Sequence, residues 1–579
     1  MENKEKKLGL GALILMIFTS VYGFNNIPRS FYLMGYAAIP WFILAGITFF
    51  VPYAFMVAEY GSAFKNETGG IYSWMEKSVG PKYAFVATFM WYTSYVLWMV
   101  NICSGIWVPV SNALFGKDTT ATWNLFGMSW LSGPRLLGIL GIIFMIFITV
   151  VGSKGLNNIH KVTNVGGIAV IVINLVVLIG GFLMIIMNHG HFAQPFEGMH
   201  SLGTSLNPAY VGNPIMILSF IVYALFAYGG LEAVGGLVDK TENPKKTFPK
   251  GVMIAAVVVV IGYSILILLV GSFTNYKEVM GTNGVHLGNV SYVIMGNFGK
   301  MFGETIGVSS ATAAAMGHNF ARIYGLIMLL SLLGAFFTLS YSPLKQIIDG
   351  TPAELWPGKM GITRESDGMP VNAMKIQCII VCVMIFGVSF GGNAMAKFFV
   401  ILTDMVNVGM TVPYIFIAAA FPAFKKLQNL DRPFVMFKSH GSTMFFAFLV
   451  SAMLIFANVF AIIQPAIEGD FMTTVWTFAG PVIFSVAALL MYGRYERKTK
   501  NRLTSDSKNN NKAAYSDPRA CKAYDGRPRT RRSGPPLLSI AAESQSSIEQ
   551  SGKLQSTQHT INLQHTFFFR THISDKNSL

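Results

Sequence analysis

The 579-residue chain is poor in charged residues. Only 12% of its residues are Asp, Glu, Lys or Arg, whereas 53% are hydrophobic, and the mean hydropathy is +0.50. A soluble domain needs a charged surface, and this composition does not supply one. The shortage of charge therefore argues against a soluble globular protein and predicts a polytopic membrane protein.

Cysteine is also scarce, with Cys103, Cys378, Cys382 and Cys521 as its only occurrences. Cys378 and Cys382 lie four residues apart on one helix face, a spacing that also suits a metal pair. No His or carboxylate neighbours accompany them, so packing is the favoured role. We predict neither a metal nor a cofactor.

The chain lacks the residue clusters typical of enzymes, channels and nucleic-acid-binding proteins. No predicted span carries a His-rich or His-Glu pattern, or a nucleophile with a base beside it. No repeated filter sequence or ring-forming acidic motif suggests a channel. The net charge of +16 lacks the concentrated basic surface with aromatics that binds nucleic acid. We predict a transporter, and neither an enzyme nor a nucleic-acid-binding protein.

Long apolar runs are what the chain has in abundance. A membrane span needs about 20 mostly apolar residues, and lipid leaves its backbone no partner outside a helix. The sequence therefore predicts an all-α polytopic fold with about twelve transmembrane helices. They lie near 8–27, 37–58, 83–112, 136–152, 162–187, 214–237, 251–273, 320–347, 376–390, 398–421, 442–463 and 473–492.

The loop charges predict the orientation, because cytoplasmic loops retain an excess of Lys and Arg. With the amino terminus inside, twenty basic residues fall on the inner side and seven on the outer side. The outer seven are Arg29, Lys117, Arg135, Lys277, Lys300, Arg322 and Lys397. We expect a multi-pass protein of the bacterial cytoplasmic membrane, surrounded by lipid, with both termini cytoplasmic. The first apolar run has no cleavage pattern, so no removed signal is expected.

The composition divides the chain into three parts. Residues 1–7 form a short cytoplasmic amino terminus, and 8–500 form the transporter domain. Beyond Leu503 the sequence turns to Ser, Asn, Gln, Lys, Arg and His, which predicts a disordered cytoplasmic tail over 504–579. The tail is either a regulatory plug or a dispensable extension.

Two apolar runs are interrupted by residues that a simple span would avoid. Phe226–Gly236 contains two glycine pairs and Glu232. Each interior glycine weakens a helix by roughly 1 kcal/mol, and a central acid costs about 2.5 to 3.5 kcal/mol on insertion scales. Thr19–Asn26 interrupts the first span in a similar way. Close helix packing explains glycines in membranes but does not explain Glu232.

The two interrupted spans stand five spans apart, at corresponding positions of two halves. Such pairs indicate a transporter built from repeats, with substrate bound near the midplane, and the odd offset makes the repeats inverted. The predicted repeats cover about 8–187 and 214–421, and two extra helices cover about 442–492.

Unwound helices expose N–H groups at one half-helix start and carbonyls at the other half-helix end, which suits an amino acid zwitterion. We expect the carboxylate on amides around Gly23 and Phe24, and the ammonium on carbonyls of Ser20, Phe226 or Ala227. Side-chain walls are predicted on spans 3 and 8. The predicted substrate residues are Ser20, Tyr22, Gly23, Phe24, Phe226, Ala227, Tyr228, Gly229, Trp98, Met99 and Phe336, with Tyr95 and Ile102 as further wall residues.

Two carboxylates in predicted spans are candidates for gating or proton sensing. Glu232 is either a gate and proton-sensitive switch, or a structural acid capped by an amide or a tyrosine hydroxyl. Asp404, with Asn407 and Val412-Pro413-Tyr414, either lines the same cavity or lies in the outer vestibule. The sequence leaves both alternatives open.

Three motifs resemble those of the amino acid-polyamine-organocation transporter superfamily, and most closely its glutamate:GABA antiporter branch. The first is Glu59-Tyr60-Gly61 with Gly69-Gly70-Ile71-Tyr72-Ser73-Trp74 and Gly80-Pro81. The second is Phe226 to Glu232 followed by Glu242-Asn243-Pro244-Lys245-Lys246 and Pro249. The third is Val412-Pro413-Tyr414. The resemblance covers about residues 8 to 500.

The resemblance implies a LeuT-like core of five-plus-five inverted repeats with two additional helices, working by alternating access. It also implies that Glu232 takes part in the inner gate and that Phe226 closes over an amino acid substrate. The leading hypothesis is an amino acid antiporter of the glutamate/GABA type, and the alternative is a proton-coupled amino acid or amine permease. Val165–Asn174 of span 5 lacks the lysine of proton-coupled relatives, which favours exchange. Sodium coupling through Thr338, Ser340 and Ser342 is a further, less favoured alternative.

Overall fold

A computed structural model describes residues 8–516, apart from 126, 129, 132, 239, 240, 282 and 283. The side chains of Thr19, 156–161, 233, 236, 392–407, 503 and 505–516 are also outside the described set. The packing of Cα atoms divides the chain into one unit over Met1–Lys500 and another over Asn501–Leu579.

The described residues are helical and contain no strand beyond an isolated bridge between Leu8 and Thr241. The all-α prediction is confirmed. The helices are α1 Leu10–Val21, α2 Asn26–Met34, α3 Ala38–Ala45, α4 Val51–Ala63, α5 Ile71–Ser78, α6 Pro81–Gly105, α7 Trp107–Phe115, α8 Pro134–Gly152, α9 Leu156–Met187, α10 Met199–Gly203, α11 Pro214–Phe226, α12 Pro244–Phe273, α13 Tyr276–Met280, α14 Val290–Thr305, α15 Ser310–Gly350, α16 Val371–Phe390, α17 Gly392–Lys426, α18 His440–Ile467 and α19 Phe471–Ser516.

Ten helical segments within the described residues are long and apolar enough to cross a membrane. The predicted spans 1 and 6 are interrupted by residues without helical structure, at 22–25 and 227–230. Span 1 consists of α1, with 12 residues, and then α2, which continues towards span 2. Span 6 consists of α11, with 13 residues, and a 3₁₀ segment over Leu231–Leu237. At 1.5 Å per residue, neither α1 nor α11 alone spans a hydrocarbon core of about 30 Å.

The interrupted spans lie inside the bundle. α1 packs against α12 and α9, and α12 also packs against α4. α6 packs against α17 and α15, while α15 packs along α9 and α14. The largest hydrophobic cluster includes buried residues of the helices on both sides of the interruptions, such as Ile17, Phe220 and Tyr263. The chain breaks are therefore surrounded by protein, where irregular backbone is tolerated in a membrane.

Three features differ from the predicted elements. α14 was not predicted, and it packs against α15, which begins at Ser310 rather than near 320. The short helix α5 follows the glycine pair of the first motif. No helix end marks the predicted tail boundary at 504, because α19 continues to Ser516. The rest of the predicted tail lies outside the described residues.

Candidate functional site

The first interruption is the segment 22–25 between α1 and α2. Tyr22, its first residue, has an extended backbone, and helix α2 begins at Asn26, directly after the segment. The N–H of Gly23 donates to Tyr263 Oη at 3.0 Å. Within the described residues, the N–H groups of Phe24 and Asn25 have no acceptor. Two backbone donors are therefore available at the start of α2.

The second interruption is the segment 227–230 between α11 and the 3₁₀ segment. Gly230 has φ +113°, a conformation that residues with a side chain rarely adopt. A Cβ atom at this position would also lie 2.4 Å from the carbonyl oxygen of Ser20. Glycine thus serves both the turn and a close backbone contact, and that contact joins the two interrupted spans.

Tyr263 of α12 forms a second link between the interruptions. Its buried hydroxyl accepts from the Gly23 N–H at 3.0 Å and from Asn26 Nδ2 at 3.2 Å. The same hydroxyl donates to the carbonyl of Ala227 at 3.2 Å. Gly23 and Ala227 were both predicted to bind substrate through these backbone groups. In this structure the Tyr263 hydroxyl bonds the Gly23 N–H and the Ala227 carbonyl. The backbone donors left for a substrate carboxylate are the N–H groups of Phe24 and Asn25.

Glu232 is fully buried and lies at the centre of a hydrogen-bonded cluster. Its Oε1 accepts from Trp91 Nε1 and from the Tyr95 hydroxyl, each at 3.0 Å. Its Oε2 accepts from the N–H of Gly230 at 3.2 Å. The Tyr414 hydroxyl bonds the carboxylate and also accepts from the Gly230 N–H at 3.0 Å. Groups from α6, α17 and the second interruption therefore meet at one acid. We call these five residues the Glu232 cluster.

The predicted wall residues of spans 3 and 8 are brought together. Trp98 stacks on Phe336 with ring centroids 5.8 Å apart, and Phe144 contacts the same phenyl ring at 5.2 Å. Met99 and Phe336 are buried in the core, whereas Trp98 is only half-buried. Tyr95 was predicted as a wall residue, but its hydroxyl is a donor to Glu232.

The aromatic residues of the interruptions have different surroundings. Tyr228 points to span 2, where its hydroxyl donates to the Phe42 carbonyl at 3.0 Å, an arrangement typical of packing. Tyr22 stacks on Tyr263 at 4.6 Å, and its buried hydroxyl has no partner among the described residues. Phe226 is half-buried, which is compatible with the predicted lid.

The other predicted site residues lie at the edges of the two interruptions. The Ser20 hydroxyl donates to the Met16 carbonyl at 2.8 Å, a bond within α1, whereas the prediction for Ser20 concerned its backbone carbonyl. Phe24 is buried against the ring of Tyr324. The N–H of Gly229 donates to the Phe226 carbonyl at 3.0 Å.

Only part of the predicted group of Asp404, Asn407 and Val412-Pro413-Tyr414 can be placed. The side chains of Asp404 and Asn407 lie outside the described residues, so both alternatives for Asp404 stay predictions. Tyr414, from the motif that follows them, belongs to the Glu232 cluster. Pro413 lies inside α17, which continues past it to Lys426.

Two residues of the site, Tyr263 and Trp91, were missed from the sequence. Tyr263 is the sole tyrosine of α12, in an otherwise aliphatic stretch, and this isolated polar aromatic was the available signal. Trp91 lies one helical turn before Tyr95, so extending the aromatic stripe of α6 backwards would have included it. Their roles depend on contacts between distant spans, which the sequence pattern does not show.

A small cavity of about 10 Å³ lies where α1, α9 and α15 meet, large enough for about one water molecule. Its lining includes Ser20, Thr163, Gly334 and Thr338. The hydroxyls of Thr163 and Thr338 lie 2.8 Å apart, and both bond the Gly334 carbonyl. Ser340 bonds the carbonyl of its own helix at Phe337. Within the described residues, no group of three or more His, Cys, Asp or Glu could hold a metal ion.

Comparison with protein families matches residues 8–486 to the amino acid permease family. The chain is 51% identical to the inner membrane transporter YjeM of Escherichia coli strain K12 over 499 residues, or 86% of this chain and 98% of that protein.

Two more distant relatives have names that include a substrate. The aspartate/glutamate permease AcaP of Lactococcus lactis subsp. cremoris is 24% identical over 421 residues, 72% of this chain and 79% of that protein. The glutamate/gamma-aminobutyrate antiporter of Lactococcus lactis subsp. lactis is 22% identical over 507 residues, 86% of this chain and 92% of that protein.

Proposed function

Because the chain belongs to the amino acid permease family, we propose that this transporter is an antiporter that exchanges amino acids by alternating access. The family and the relatives are membrane transporters and not enzymes, and the chain is a multi-pass protein of the bacterial inner membrane. The exchange mode and the glutamate/GABA-like substrates are the proposed part. The names of the two distant relatives support that substrate class.

One observation carries the proposal, namely the direct contact of two broken spans. The Gly230 turn lies against the Ser20 carbonyl, and the Phe24 and Asn25 amides are unpaired within the described residues. Amides at a helix start bind a carboxylate, and carbonyls at the end of α1 accept from an ammonium. Every α-amino acid carries both of these groups, an α-carboxylate and an α-ammonium.

We propose that the Glu232 cluster is the inner gate. A gate must join elements that separate when the site opens, and this cluster joins α6, α17 and the second interruption. Burial makes each of its hydrogen bonds costly to leave unmade. A substrate that changes the conformation of the second interruption would therefore shift α6 and α17 together with it.

Exchange is favoured over proton-coupled uptake by the residues near span 5. Val165–Asn174 contains no lysine, and Thr163 is paired with Thr338 rather than with an ionisable group. No basic side chain of that segment is therefore available to carry a proton. Proton-coupled transport of an amino acid or amine is the second candidate, and Glu232 would then be its proton carrier.

Counterflow in proteoliposomes tests the mode of transport. Vesicles loaded with glutamate, GABA, aspartate or a neutral amino acid are compared with empty vesicles for uptake of labelled amino acid. We expect loaded vesicles to take up at least about tenfold more label, with no loss after a proton ionophore. Equal uptake into empty and loaded vesicles that requires an imposed pH gradient would support the permease instead.

We also propose the orientation that the loop charges predict, with both termini in the cytoplasm. The excess of Lys and Arg on that side supports it. In this orientation α4 and α17 end at the cytoplasmic face, and the start of α14 lies on the outer side. Glu232 then follows the second interruption on its cytoplasmic side.

A further inference from the structure

Arg29 is an unusual residue for its position in the chain. It is the sole basic residue between Lys7 and Lys65, and it lies in the first turn of α2, directly after the first interruption. A cation at a helix start opposes the helix dipole. Local helix stability therefore does not account for it.

The guanidinium of Arg29 is oriented by one hydrogen bond. Its Nε donates to the carbonyl of Leu287, before α14, at 3.1 Å. Its backbone N–H donates to the Asn25 carbonyl at 3.3 Å, which ties it to the interruption. Arg29 forms no ion pair with any described carboxylate, so its two Nη groups remain for another acceptor. Paired donors of this kind match the two oxygens of a carboxylate.

Three tyrosines lie near Arg29. The hydroxyls of Tyr223, Tyr292 and Tyr324 all lie within electrostatic range of the guanidinium. Tyr324 donates to Asn25 Oδ1, and Tyr223 donates to Asn26 Oδ1 at 3.3 Å. Two of the tyrosines near Arg29 therefore hold Asn25 and Asn26, where the first interruption meets α2. Asp118 also acts on Tyr292 but does not pair with Arg29.

The spacing suits an amino acid with a short acidic side chain. Arg29 lies about 4.5 Å further along α2 than Asn26, at 1.5 Å per residue. The side-chain carboxyl carbon of glutamate lies about 4 Å from its α-carbon, from three bonds of about 1.5 Å each. The long arginine side chain covers the remaining distance.

We propose that Arg29 determines specificity for substrates with an anionic side chain, its two Nη groups pairing with that carboxylate while the α-carboxylate lies on the Phe24 and Asn25 amides. This assignment rests on the proposed exchange function and adds the residue that recognises the substrate side chain. Arg29 is then the cation that pairs with the side-chain carboxylate of the substrate.

The test compares acidic substrates with their neutral isosteres. Exchange of glutamate and aspartate, and of glutamine and asparagine, is measured in proteoliposomes for the wild type, Arg29→Gln and Arg29→Lys. Arg322→Gln is the matched control, because Arg322 is also an outer arginine whose Nε donates to a backbone carbonyl, that of Ala113 at 3.4 Å. Thermal unfolding in detergent shows that each variant folds.

We expect Arg29→Gln to raise the KM for the acidic substrates on the order of tenfold to a hundredfold, and to leave the amides unchanged or better transported. Arg29→Lys should retain part of the selectivity, and Arg322→Gln should behave as the wild type.

The assignment is overturned by an equal effect of Arg29→Gln on acidic substrates and amides, by no effect, or by the same loss in Arg322→Gln. A wild type that exchanges only neutral amino acids also overturns it, while exchange itself stands. A wild type that exchanges no amino acid overturns the proposed function first.

Discussion

Two stacked tyrosines show how differently the same side chain is used at the residue scale. The Tyr263 hydroxyl bonds backbone groups of both interruptions, whereas the Tyr22 hydroxyl has no described partner. A buried hydrogen bond contributes about 1 kcal/mol net, but a buried group that loses its partner costs about 1–3 kcal/mol. Removal of the Tyr263 hydroxyl leaves the Gly23 N–H and the Ala227 carbonyl unpaired among the described residues. Removal of the Tyr22 hydroxyl leaves no described group without a partner.

Tyr263→Phe is expected to lower the unfolding free energy by about 1–3 kcal/mol and to slow exchange, because Gly23 and Ala227 lose a shared partner. Thermal unfolding in detergent without substrate measures the first effect. Tyr22→Phe is the control, since it removes the neighbouring hydroxyl from the same stack, and its thermal stability should equal or exceed that of the wild type. Equal destabilisation by both variants would contradict the bridging role of Tyr263.

Glu232→Gln tests whether the buried acid acts in the transport cycle. Glutamine keeps the size of the side chain but puts a donor where donors already converge, so the Glu232 cluster should loosen. We expect exchange to slow on the order of tenfold or more and its pH profile to flatten. Glu304→Gln is a control, because among the described residues the Glu304 carboxylate forms only an exposed ion pair with Lys300. An unchanged rate and pH profile would assign Glu232 to structure.

At the scale of elements, the interruptions depend on backbone geometry more than on side chains. Gly230→Ala combines a strained conformation, which costs about 1–3 kcal/mol, with a contact of 2.4 Å to the Ser20 carbonyl. We expect poor folding or a loss of exchange. Gly80→Ala is the matched control, since Gly80 has φ +133° but open space around it. Similar stability of the two variants in thermal unfolding would show that the contact between the interruptions is not required.

A buried ion pair links the helices α4 and α17. Glu59 is fully buried, and its Oε2 accepts from Lys425 Nζ at 2.6 Å. Its Oε1 accepts from the N–H groups of Met436 and Phe437, at 2.7 and 2.8 Å. The first motif of the sequence therefore has a structural role, which is to hold the end of α17 and the segment before α18.

Lys425→Met should destabilise the protein by about 3–5 kcal/mol, because it leaves the Glu59 carboxylate buried without its counter-charge. The double variant Glu59→Gln/Lys425→Met should recover part of that loss in thermal unfolding. Lys245→Met is the control, since the Lys245–Asp431 pair is exposed and screened by solvent, so its loss should change stability little. The Lys245 ammonium nevertheless holds the pKa of Asp431 below its usual range. No difference between the two lysine variants would contradict the buried pair.

At the scale of the whole molecule, the orientation is open to direct measurement. In a background without Cys103, Cys378, Cys382 and Cys521, the exposed Lys117 and Lys438 are each replaced by cysteine. We expect an impermeant thiol reagent applied to intact cells to label Lys117→Cys and not Lys438→Cys. Permeabilised cells should show labelling of both variants. The reverse pattern in intact cells would overturn the proposed topology and place Arg29 on the inner side.

The fold was largely predictable because lipid leaves few choices. Long apolar runs must be helices in a bilayer, and glycine with an acid inside such a run marks a broken span. Both interruptions occur where the sequence predicted them. The partners of Glu232 were not predictable, because Trp91 and Tyr414 lie on spans that the chain order separates widely.

The sequence by itself determined the helical class, the membrane location and the two broken spans, since these follow from composition, periodicity and local backbone preference, and its three motifs indicated the family by resemblance. Only the tertiary structure decided which groups close the interruptions. Tyr263 holds Gly23 and Ala227, Tyr228 turns to span 2, and Arg29 stands beside the first break. The physical reason is that a hydrogen bond depends on distance and direction between helices, whereas a hydropathy pattern records only which residues avoid water.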